Sequence, residues 1–168
     1  MDIAFFEWAG TLHSQWLTPW MIALSTMNNK GIVWIILCLL LLIPKRTRRL
    51  AVVLGTGLIV VTILGEGLIK HLVMRPRPFI TFNREIFIKP PRGYSFPSGH
   101  TASSMTVLGI FYFRMKKYLL PIALLAVGIS FSRLYLQVHY LTDVLAGTLL
   151  GFVVAYGVDA YFKKAWKE

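Results

Sequence analysis

The sequence predicts an all-α integral-membrane bundle of about five to six transmembrane helices, with interfacial helices at its N-terminus. Hydrophobic residues make up 56% of the 168 positions and charged residues only 15%, which is too apolar for a soluble domain of this size. Apolar segments that cross or nearly cross a bilayer alternate with short clusters of Lys and Arg. Five prolines fall in one basic stretch, residues 74–97, which therefore cannot form a continuous helix.

The first part of the chain, residues 2–28, mixes aromatic with polar side chains and contains no run of about 18 apolar residues. Tryptophan at this density (Trp8, Trp16 and Trp20) is typical of the bilayer interface. We therefore expect one or two interfacial helices broken near Pro19, with a sixth span as the alternative. The segment starts without a basic region, so we expect no cleaved signal peptide.

Five apolar segments follow and are the predicted spans. In the last of them, Gly147 and Gly151 form a GxxxG element, which favours packing inside the bundle over a dimer contact. We expect one domain over residues 1–168, with an interfacial segment at 1–30 and the chemistry-bearing residues at 70–143. The predicted spans are residues 31–43, 50–73, 98–113, 118–136 and 143–162.

Basic clusters at residues 45–49, 114–117 and 163–167 end alternate spans. In a five-span model they lie on one side, which the positive-inside rule makes cytoplasmic. Topology and anionic headgroups thus account for the net charge of +11, and we expect membrane lipids rather than nucleic acid as partners. The opposite side collects polar residues from distant parts of the sequence, namely Lys70, Arg77, Ser98, His100, Arg133, His139 and Asp143.

A polar, turn-forming stretch, Tyr94–Thr101, stands at the start of the third span. Ser98 follows a proline and is a good helix N-cap, while Gly99 lets a ligand approach the backbone. The first N–H groups of a helix have no intrahelical acceptor, so this start favours an anion. His100 lies in the first turn and could exchange a proton with that anion. Taken alone, the stretch fits an ordinary capped helix start equally well.

Three cations reach the same side of the predicted bundle: Lys70, Arg77 and Arg133. Charged groups in a packed membrane bundle are costly unless they have partners or a ligand. The nearby acids are Asp143 and Glu66, and we expect Glu66 to neutralise Lys70, with tuning of the pocket as the alternative. The surplus positive charge needs an anion, and guanidinium groups match the oxygens of a phosphate.

A histidine and an aspartate four positions apart, His139 and Asp143, can meet across one helical turn. A carboxylate on one ring nitrogen fixes the tautomer and makes the other nitrogen more nucleophilic. His139 is therefore the candidate nucleophile on phosphorus, and His100 is the candidate general acid for the leaving oxygen. No cysteine or carboxylate cluster accompanies these residues, so we expect no metal and stabilisation of charge by cations and helix amides.

Three linked motifs occur in order: Lys70-x6-Arg77-Pro78, Pro97-Ser98-Gly99-His100 and Ser132-Arg133-x5-His139-x3-Asp143. They resemble the type-2 phosphatidic acid phosphatase family, which shares its site with the vanadium-dependent haloperoxidases. The match covers residues 70–143 without departure. The resemblance implies a helical core and hydrolysis of a phosphate ester or anhydride through a phosphohistidine, without a metal or other cofactor.

The same resemblance implies a role for each motif residue. His139 would be the nucleophile, Asp143 would orient it, and His100 would be the proton donor. The residues that would bind the substrate phosphate are Lys70, Arg77, Ser98, Gly99 and Arg133. Four other charges in the loop are expected to be solvated, with contact to an anionic headgroup as the alternative, namely Arg75, Arg84, Lys89 and Arg92.

The favoured function is hydrolysis of a lipid phosphate or pyrophosphate by a protein of the bacterial cytoplasmic membrane whose active site faces the extracytoplasmic side. Undecaprenyl pyrophosphate is the favoured substrate, and phosphatidylglycerophosphate and phosphatidic acid stay open. Haloperoxidases are soluble, which five apolar spans argue against. A non-catalytic transporter or scaffold would carry charges through mid-span, whereas these charges cluster at one end. The sequence leaves the lipid's chain selectivity and the oligomeric state open.

Overall fold

The computed structural model describes residues 2–167, so the predicted domain limits at residues 1 and 168 lie outside the described part. Between residues 2 and 167 the chain has helices and no strand, which confirms the all-α class. A π-helical segment, Ile63–Ile69, joins the fourth and fifth α-helices. The α-helices in chain order are α1 (Asp2–Thr11), α2 (Leu17–Met27), α3 (Ile32–Leu42), α4 (Arg48–Thr62), α5 (Lys70–Val73), α6 (Pro78–Thr81), α7 (Gly99–Arg114), α8 (Leu119–Tyr135) and α9 (Leu141–Trp166).

Helix α7 lies at the centre of the bundle, packed against α9, α8 and α4. Its first three turns are rich in Ser, Thr, Ala and Gly, and almost all of them are buried. Small side chains let neighbouring helices come close in a membrane, where apolar surface alone drives no association. The helix starts as predicted, because Ser98 is its N-cap and accepts a hydrogen bond from the Thr101 N–H.

The GxxxG element of α9 makes the closest of these contacts. A β-carbon on Gly147 would lie 2.8 Å from the Ser98 carbonyl oxygen, and one on Gly151 would lie 2.6 Å from the Ala102 carbonyl oxygen. Both distances are shorter than van der Waals contact, so only glycine fits at these two positions. The prediction that this element packs inside the bundle is confirmed.

The second predicted span is one continuous helical segment that changes its winding before its end. Helix α4 passes into the π-helical turns and then into α5, which ends at Met74 with positive φ. π-Helical segments are rare and are found mostly at functional sites. Here the wider turns carry Glu66 and deliver Lys70 to the site end of the bundle.

The number of helices that can cross a membrane differs from the predicted five to six. Three helical segments are long and apolar enough: Lys45–Thr81, Lys116–Tyr135 and Leu141–Trp166. A fourth is added if Leu17–Met27 and Asn29–Leu42, bent by 48°, form one broken span. The 16-residue α7 is about 24 Å long, less than the roughly 30 Å of bilayer hydrocarbon, and it is enclosed by its neighbours.

The N-terminal segment carries two helices, α1 and α2, and the expectation that residues 1–30 are interfacial, with a sixth span as the alternative, stays a prediction. Helix α2 continues into α3 through a short 3-10 turn, Asn29–Gly31. Lys30 and Gly31 of this turn have positive φ. The apolar run that begins at Ile32 is thus the second half of a bent helix pair. The sequence lacks a clean apolar run here because the bend contains polar residues.

Basic residues far apart in sequence meet at the end of the bundle opposite the motifs. Arg49 and Arg114 both lie over the ring of Trp166, at 5.3 and 5.5 Å from its centroid. Arg114 also pairs with the buried Asp159 at 2.6 Å, and Lys163 pairs with the same carboxylate at 2.8 Å. The three basic clusters therefore share one end of the bundle, as the sequence predicts.

The close α7–α9 contact predicts a large difference between two glycines of α9. Gly151→Ala should lower the free energy of unfolding by about 1–3 kcal/mol, because its β-carbon would meet backbone atoms that cannot move aside. Gly157→Ala is the matched control: nothing lies within 4 Å of a β-carbon there, so the change should be neutral or stabilising by up to about 1 kcal/mol. Thermal unfolding in detergent measures both, and equal effects would contradict the packing.

Candidate active site

A cavity of about 380 Å³ opens at the end of the bundle where the three motifs meet. It lies among α3, the α4–α5 segment, α7 and α8, with further residues from the 82–98 loop and the link before α9. Six of the eight predicted site residues line it: Lys70, Arg77, Gly99, His100, Arg133 and His139. Ser98 and Asp143 are fully buried and lie behind this lining.

His139 and Asp143 form the predicted pair. The His139 Nδ1 lies 3.3 Å from Asp143 Oδ2, and the His139 Nε2 lies 3.3 Å from Arg77 Nη1. A guanidinium only donates, so Nε2 is the acceptor and the ring hydrogen is on Nδ1, directed to the carboxylate. Burial holds the pKa of His139 well below its ordinary value, and the charges of Arg133, Arg77 and Lys70 lower it further. The ring is thus neutral with a lone pair on Nε2.

The carboxylate of Asp143 is held by more than His139. Its Oδ2 accepts from the Tyr140 N–H at 2.9 Å, which caps the start of α9, and its Oδ1 accepts from Arg75 Nη1 at 2.8 Å. Asp143 also accepts through its backbone carbonyl from the Ser98 N–H at 3.0 Å. The starts of α7 and α9 are therefore joined next to the two histidines.

The two arginines of the motifs are buried in different ways. Arg77 donates to three backbone carbonyl groups, from Nε to Gly93 at 3.0 Å, from Nη1 to Val138 at 3.1 Å and from Nη2 to Arg92 at 3.3 Å. Arg133 donates from Nη1 to the Ser25 hydroxyl. Among residues 2–167, the buried Arg133 Nε–H has no acceptor. A buried donor without a partner is costly, and a bound anion would satisfy it.

Lys70 is buried and pairs with Glu66, whose two carboxylate oxygens lie 2.7 and 2.8 Å from its Nζ. The pairing agrees with the expected neutralisation of Lys70. His100 lies in the first turn of α7, with Nε2 at 3.1 Å from the Ser25 carbonyl oxygen. Because a carbonyl only accepts, this nitrogen carries the hydrogen and Nδ1 is left without it.

Arg75 was expected to be a solvated loop charge, and that expectation is wrong. Its guanidinium lies 3.7 Å from the centroid of the Tyr140 ring and donates to Asp143, to the Thr142 hydroxyl at 2.6 Å and to Asp2 Oδ2 at 2.8 Å. Asp2 in turn accepts from the Thr142 N–H at 3.0 Å. Helix α1 is thereby held to the start of α9 through Arg75, which contacts both Asp2 and Asp143.

The described residues offer no ligand set for a metal. Between residues 2 and 167, no group of three or more His, Cys, Asp or Glu side chains is placed to hold a metal ion. The polar lining of the cavity consists mainly of cations and hydrogen-bond donors, which suit an anion.

Comparison with known proteins identifies the family. A model of the PAP2 superfamily matches residues 47–167. The chain belongs to this superfamily. The resemblance drawn from the three motifs is thereby confirmed, and the relatives of this PAP2 protein are named as phosphatases.

Two of these relatives come from an archaeon and a bacterium. The undecaprenyl-diphosphatase of Sulfolobus acidocaldarius is 36% identical over 126 residues, which cover 74% of this chain and 61% of that protein. The decaprenylphosphoryl-5-phosphoribose phosphatase of Mycobacterium tuberculosis is 37% identical over 142 residues, 82% of this chain and 76% of that protein. The chain thus spans less than two thirds of the archaeal relative.

Two crystal structures share the fold. Aquifex aeolicus LpxE superposes with a TM-score of 0.85 over 95% of either chain, at 24% sequence identity. A transmembrane PAP2 type phosphatidylglycerolphosphate phosphatase from Bacillus subtilis gives a TM-score of 0.75 at 24% identity, over 97% of this chain and 85% of that one. The chain therefore has the same helical fold, and its long apolar helices support an integral-membrane protein.

Sequence reasoning missed the contribution of the N-terminal helices to the site of this PAP2 protein. Ser25 contacts both His100 and Arg133, and Asn28 donates to the His100 carbonyl oxygen at 3.2 Å. Asn28 also lines the cavity, and its buried Oδ1 has no donor among residues 2–167. The available signal was weak: polar residues interrupt the apolar pattern at the α2–α3 bend. No local signal linked Asp2 to Arg75.

The Asp2–Arg75 contact should be energetically coupled. In a double-mutant cycle with Asp2→Asn and Arg75→Gln, unfolding in detergent should give a coupling energy of about 1–2 kcal/mol, since both side chains are mostly buried. The Glu7–Arg84 pair is the matched control, with about half of each side chain exposed, and should couple by less than about 0.5 kcal/mol. Equal coupling in the two cycles would show that Arg75 does not fasten α1 to the site.

Proposed function

We propose that this PAP2 protein hydrolyses a lipid phosphate or pyrophosphate through a phosphohistidine on His139, with undecaprenyl pyrophosphate as the favoured substrate. The observation that carries this proposal is a cavity lined by Lys70, Arg77 and Arg133. Within residues 2–167, the Arg133 side chain also keeps a buried Nε–H without an acceptor. Five basic side chains and one carboxylate, that of Glu66, line this cavity among the described residues. A phosphate would supply both the missing acceptor and the missing negative charge.

The cavity also has an apolar wall. Ile35 of α3 and Leu58 and Val61 of α4 line it together with the motif cations. A headgroup phosphate held at the polar end would thus have its hydrocarbon chain beside α3 and α4, whose outer faces carry exposed Ile and Leu side chains. This two-part lining supports a lipid rather than a water-soluble phosphate ester as the substrate.

In the first chemical step the Nε2 lone pair of His139 attacks phosphorus, a P–N bond forms, and the P–O bond to the leaving group breaks. The hydrogen on Nδ1 stays directed to Asp143, which stabilises the positive ring as it forms. Charge on the phosphoryl oxygens is stabilised by Lys70, Arg77, Arg133 and the N–H groups at the start of α7. Ser98 acts there as the cap that fixes this helix start and Gly99 as its open first residue.

His100 gives its proton to the leaving oxygen in that step. Its Nε2 hydrogen is bonded to the Ser25 carbonyl, so donation would come from Nδ1, which would take up its proton when the negatively charged phosphate is bound. In the second step a water attacks phosphorus, its proton passes to His100, and the P–N bond breaks. Phosphate leaves and His139 recovers its lone pair, so no atom or charge is left over.

The names of the relatives support a lipid phosphate or pyrophosphate as the substrate. They include undecaprenyl-diphosphatases, a decaprenylphosphoryl-5-phosphoribose phosphatase and a lipid A 4'-phosphatase, and the Bacillus subtilis and Haemophilus influenzae relatives are phosphatidylglycerophosphatases B. Two of these four names carry a polyprenyl group, which favours undecaprenyl pyrophosphate for this chain. Phosphatidylglycerophosphate and phosphatidic acid are the alternatives within the same chemistry.

We infer that the N-terminal segment belongs to the same domain as residues 70–143, because Ser25 contacts Arg133 and Asn28 contacts His100, while Asp2 contacts Arg75 within the same range. We also infer that the basic end, with Arg49, Arg114 and Lys163, faces the cytoplasm of a bacterial cell. The cavity would then open at the extracytoplasmic side, where the headgroup of an outer-leaflet lipid is within reach.

Purified protein in detergent should release phosphate from undecaprenyl pyrophosphate faster than from phosphatidylglycerophosphate or phosphatidic acid. Release should persist in excess EDTA, because cations and helix amides supply the charge stabilisation. Malachite-green detection over the three lipids measures the rates, with Arg133→Met as the inactive control. Loss of release in EDTA and recovery with magnesium would contradict the mechanism, and faster release from another lipid would replace the favoured substrate.

The two histidines should differ in a rapid-quench experiment. His139→Ala should abolish turnover and leave no phosphoenzyme. His100→Ala should slow turnover severely but least for substrates with good leaving groups, which need little protonation. Asp143→Asn should lower kcat on the order of 10²–10⁴-fold by analogy with hydrolase triads. The trapped phosphoryl group should be acid-labile, base-stable and on His139; a phosphoryl group on His100 would reverse the roles.

The proposed orientation can be tested on intact cells. A cysteine at Lys89, in a Cys38→Ser background, should react with an impermeant thiol reagent, since Lys89 lies in an exposed part of the loop at the cavity end. A cysteine at Lys45 is the control at the other end and should react only after lysis. The reverse pattern would move the substrate to the inner leaflet.

A further inference from the structure

One carboxylate side chain of the protein, that of Glu66, lines the cavity. Glu66 lies in the π-helical segment, lines the cavity, and holds Lys70 Nζ between its two carboxylate oxygens at 2.7 and 2.8 Å. The same carboxylate lies against Gly99, since a β-carbon there would overlap Glu66 Oε1. Among the described residues that line the cavity, it is the one acidic side chain.

These two neighbours are both groups to which we assign phosphate binding. Gly99 is the first residue of α7, where N–H groups without intrahelical acceptors and the helix dipole attract negative charge. Lys70 is 7% exposed, and its partner Glu66 lies against Gly99 at that helix start. A carboxylate thus occupies the space between a buried lysine and a helix N-terminus, which is where a phosphate oxygen would bind.

We propose that Glu66 is an internal competitor that sets how tightly this site holds phosphate. The inference rests on the proposed function, because it concerns the same site. The substrate phosphate would displace the carboxylate from Lys70, and the carboxylate would return as inorganic phosphate leaves. The Glu66 side chain is 48% exposed, so it has open space into which it can move.

The spacing within the π-helical turn is what makes this competition possible. Lys70 follows Glu66 by four residues, so the two side chains lie on one face and reach the cavity together. An acid that only neutralised Lys70 could do so from any side of the amine. Here it lies on the side of Gly99, and its charge opposes a second anion at close range.

A merely neutralising role and a competing role of Glu66 predict effects on different quantities when its charge is removed. If Glu66 only balances Lys70, its loss leaves a buried amine unpaired. The main effect is then a lower free energy of unfolding. If Glu66 competes, its loss removes a negative charge from the site, and an anion binds more tightly. Anion affinity in a folded variant therefore separates the two.

The test uses the full-length protein in detergent, with inorganic phosphate and orthovanadate as probes in isothermal titration. Glu66→Gln keeps the shape and should tighten the Kd of both anions by about tenfold. Glu66→Asp keeps the charge near Lys70 on a shorter stem that draws it back from Gly99, so we expect a smaller gain, about threefold. Glu7→Gln, an exposed acid on α1, is the matched control and should bind both probes like the wild type.

The outcomes distinguish this inference from the proposed function. If the wild type binds neither probe, or binds them equally well after Lys70→Ala and Arg133→Met, the phosphate site itself has been assigned wrongly. If the wild type binds both probes but the Glu66 variants bind them equally or more weakly, only the role of Glu66 is overturned. Should Glu66→Gln fail to fold, Glu66→Asp decides: no gain in affinity rejects the competition.

Discussion

Helices α7 and α9 touch through their backbones, and the rest of the site depends on that contact. Gly147 and Gly151 bring the two helices to a distance that a β-carbon would prevent. At this distance the Ser98 N–H reaches the Asp143 carbonyl oxygen at 3.0 Å, which joins the first turns of both helices. His100 is the second residue of α7, and His139 lies two residues before the start of α9. The two histidines therefore face one cavity although 39 positions separate them in the sequence.

Charge balance is the second constraint, because a membrane bundle holds buried cations only with partners or a ligand. The structure meets it in two ways. Arg77 is held by backbone carbonyl groups and Arg75 by two carboxylates, so both are fixed before any ligand arrives. Lys70 and Arg133 have fewer hydrogen-bond partners. Lys70 pairs with the half-exposed Glu66, and Arg133 keeps a buried Nε–H without an acceptor among residues 2–167. The strongest attraction for an anion lies between these two.

Local sequence patterns predicted the elements that carry the motifs. The cap at Ser98, the proline-rich loop after Val73 and the glycine pair of α9 are each readable within a few residues, and the structure has them in those places. The grouping of the motif residues at one end also followed, because apolar runs and basic clusters fix which ends of the spans share a side.

Other features depend on partners that no local pattern reveals. Arg75 reads as a loop charge, yet it contacts Asp2 and Asp143, which lie 73 and 68 positions away. The union of α2 with α3 was missed because polar residues at the bend interrupt the apolar pattern. The π-helical turn was missed because its residues, Ile63–Ile69, have the composition of an ordinary membrane helix.

The central claim is that a pentacoordinate phosphorus forms on His139 between Lys70, Arg77, Arg133 and the start of α7. A structure of the protein with orthovanadate tests it most directly, because vanadate adopts the geometry of that transition state. We expect vanadium bonded to His139 Nε2, with its oxygens on the three cations and one of them on Arg133 Nε. Vanadium bonded to His100, or bound away from both histidines, would contradict it.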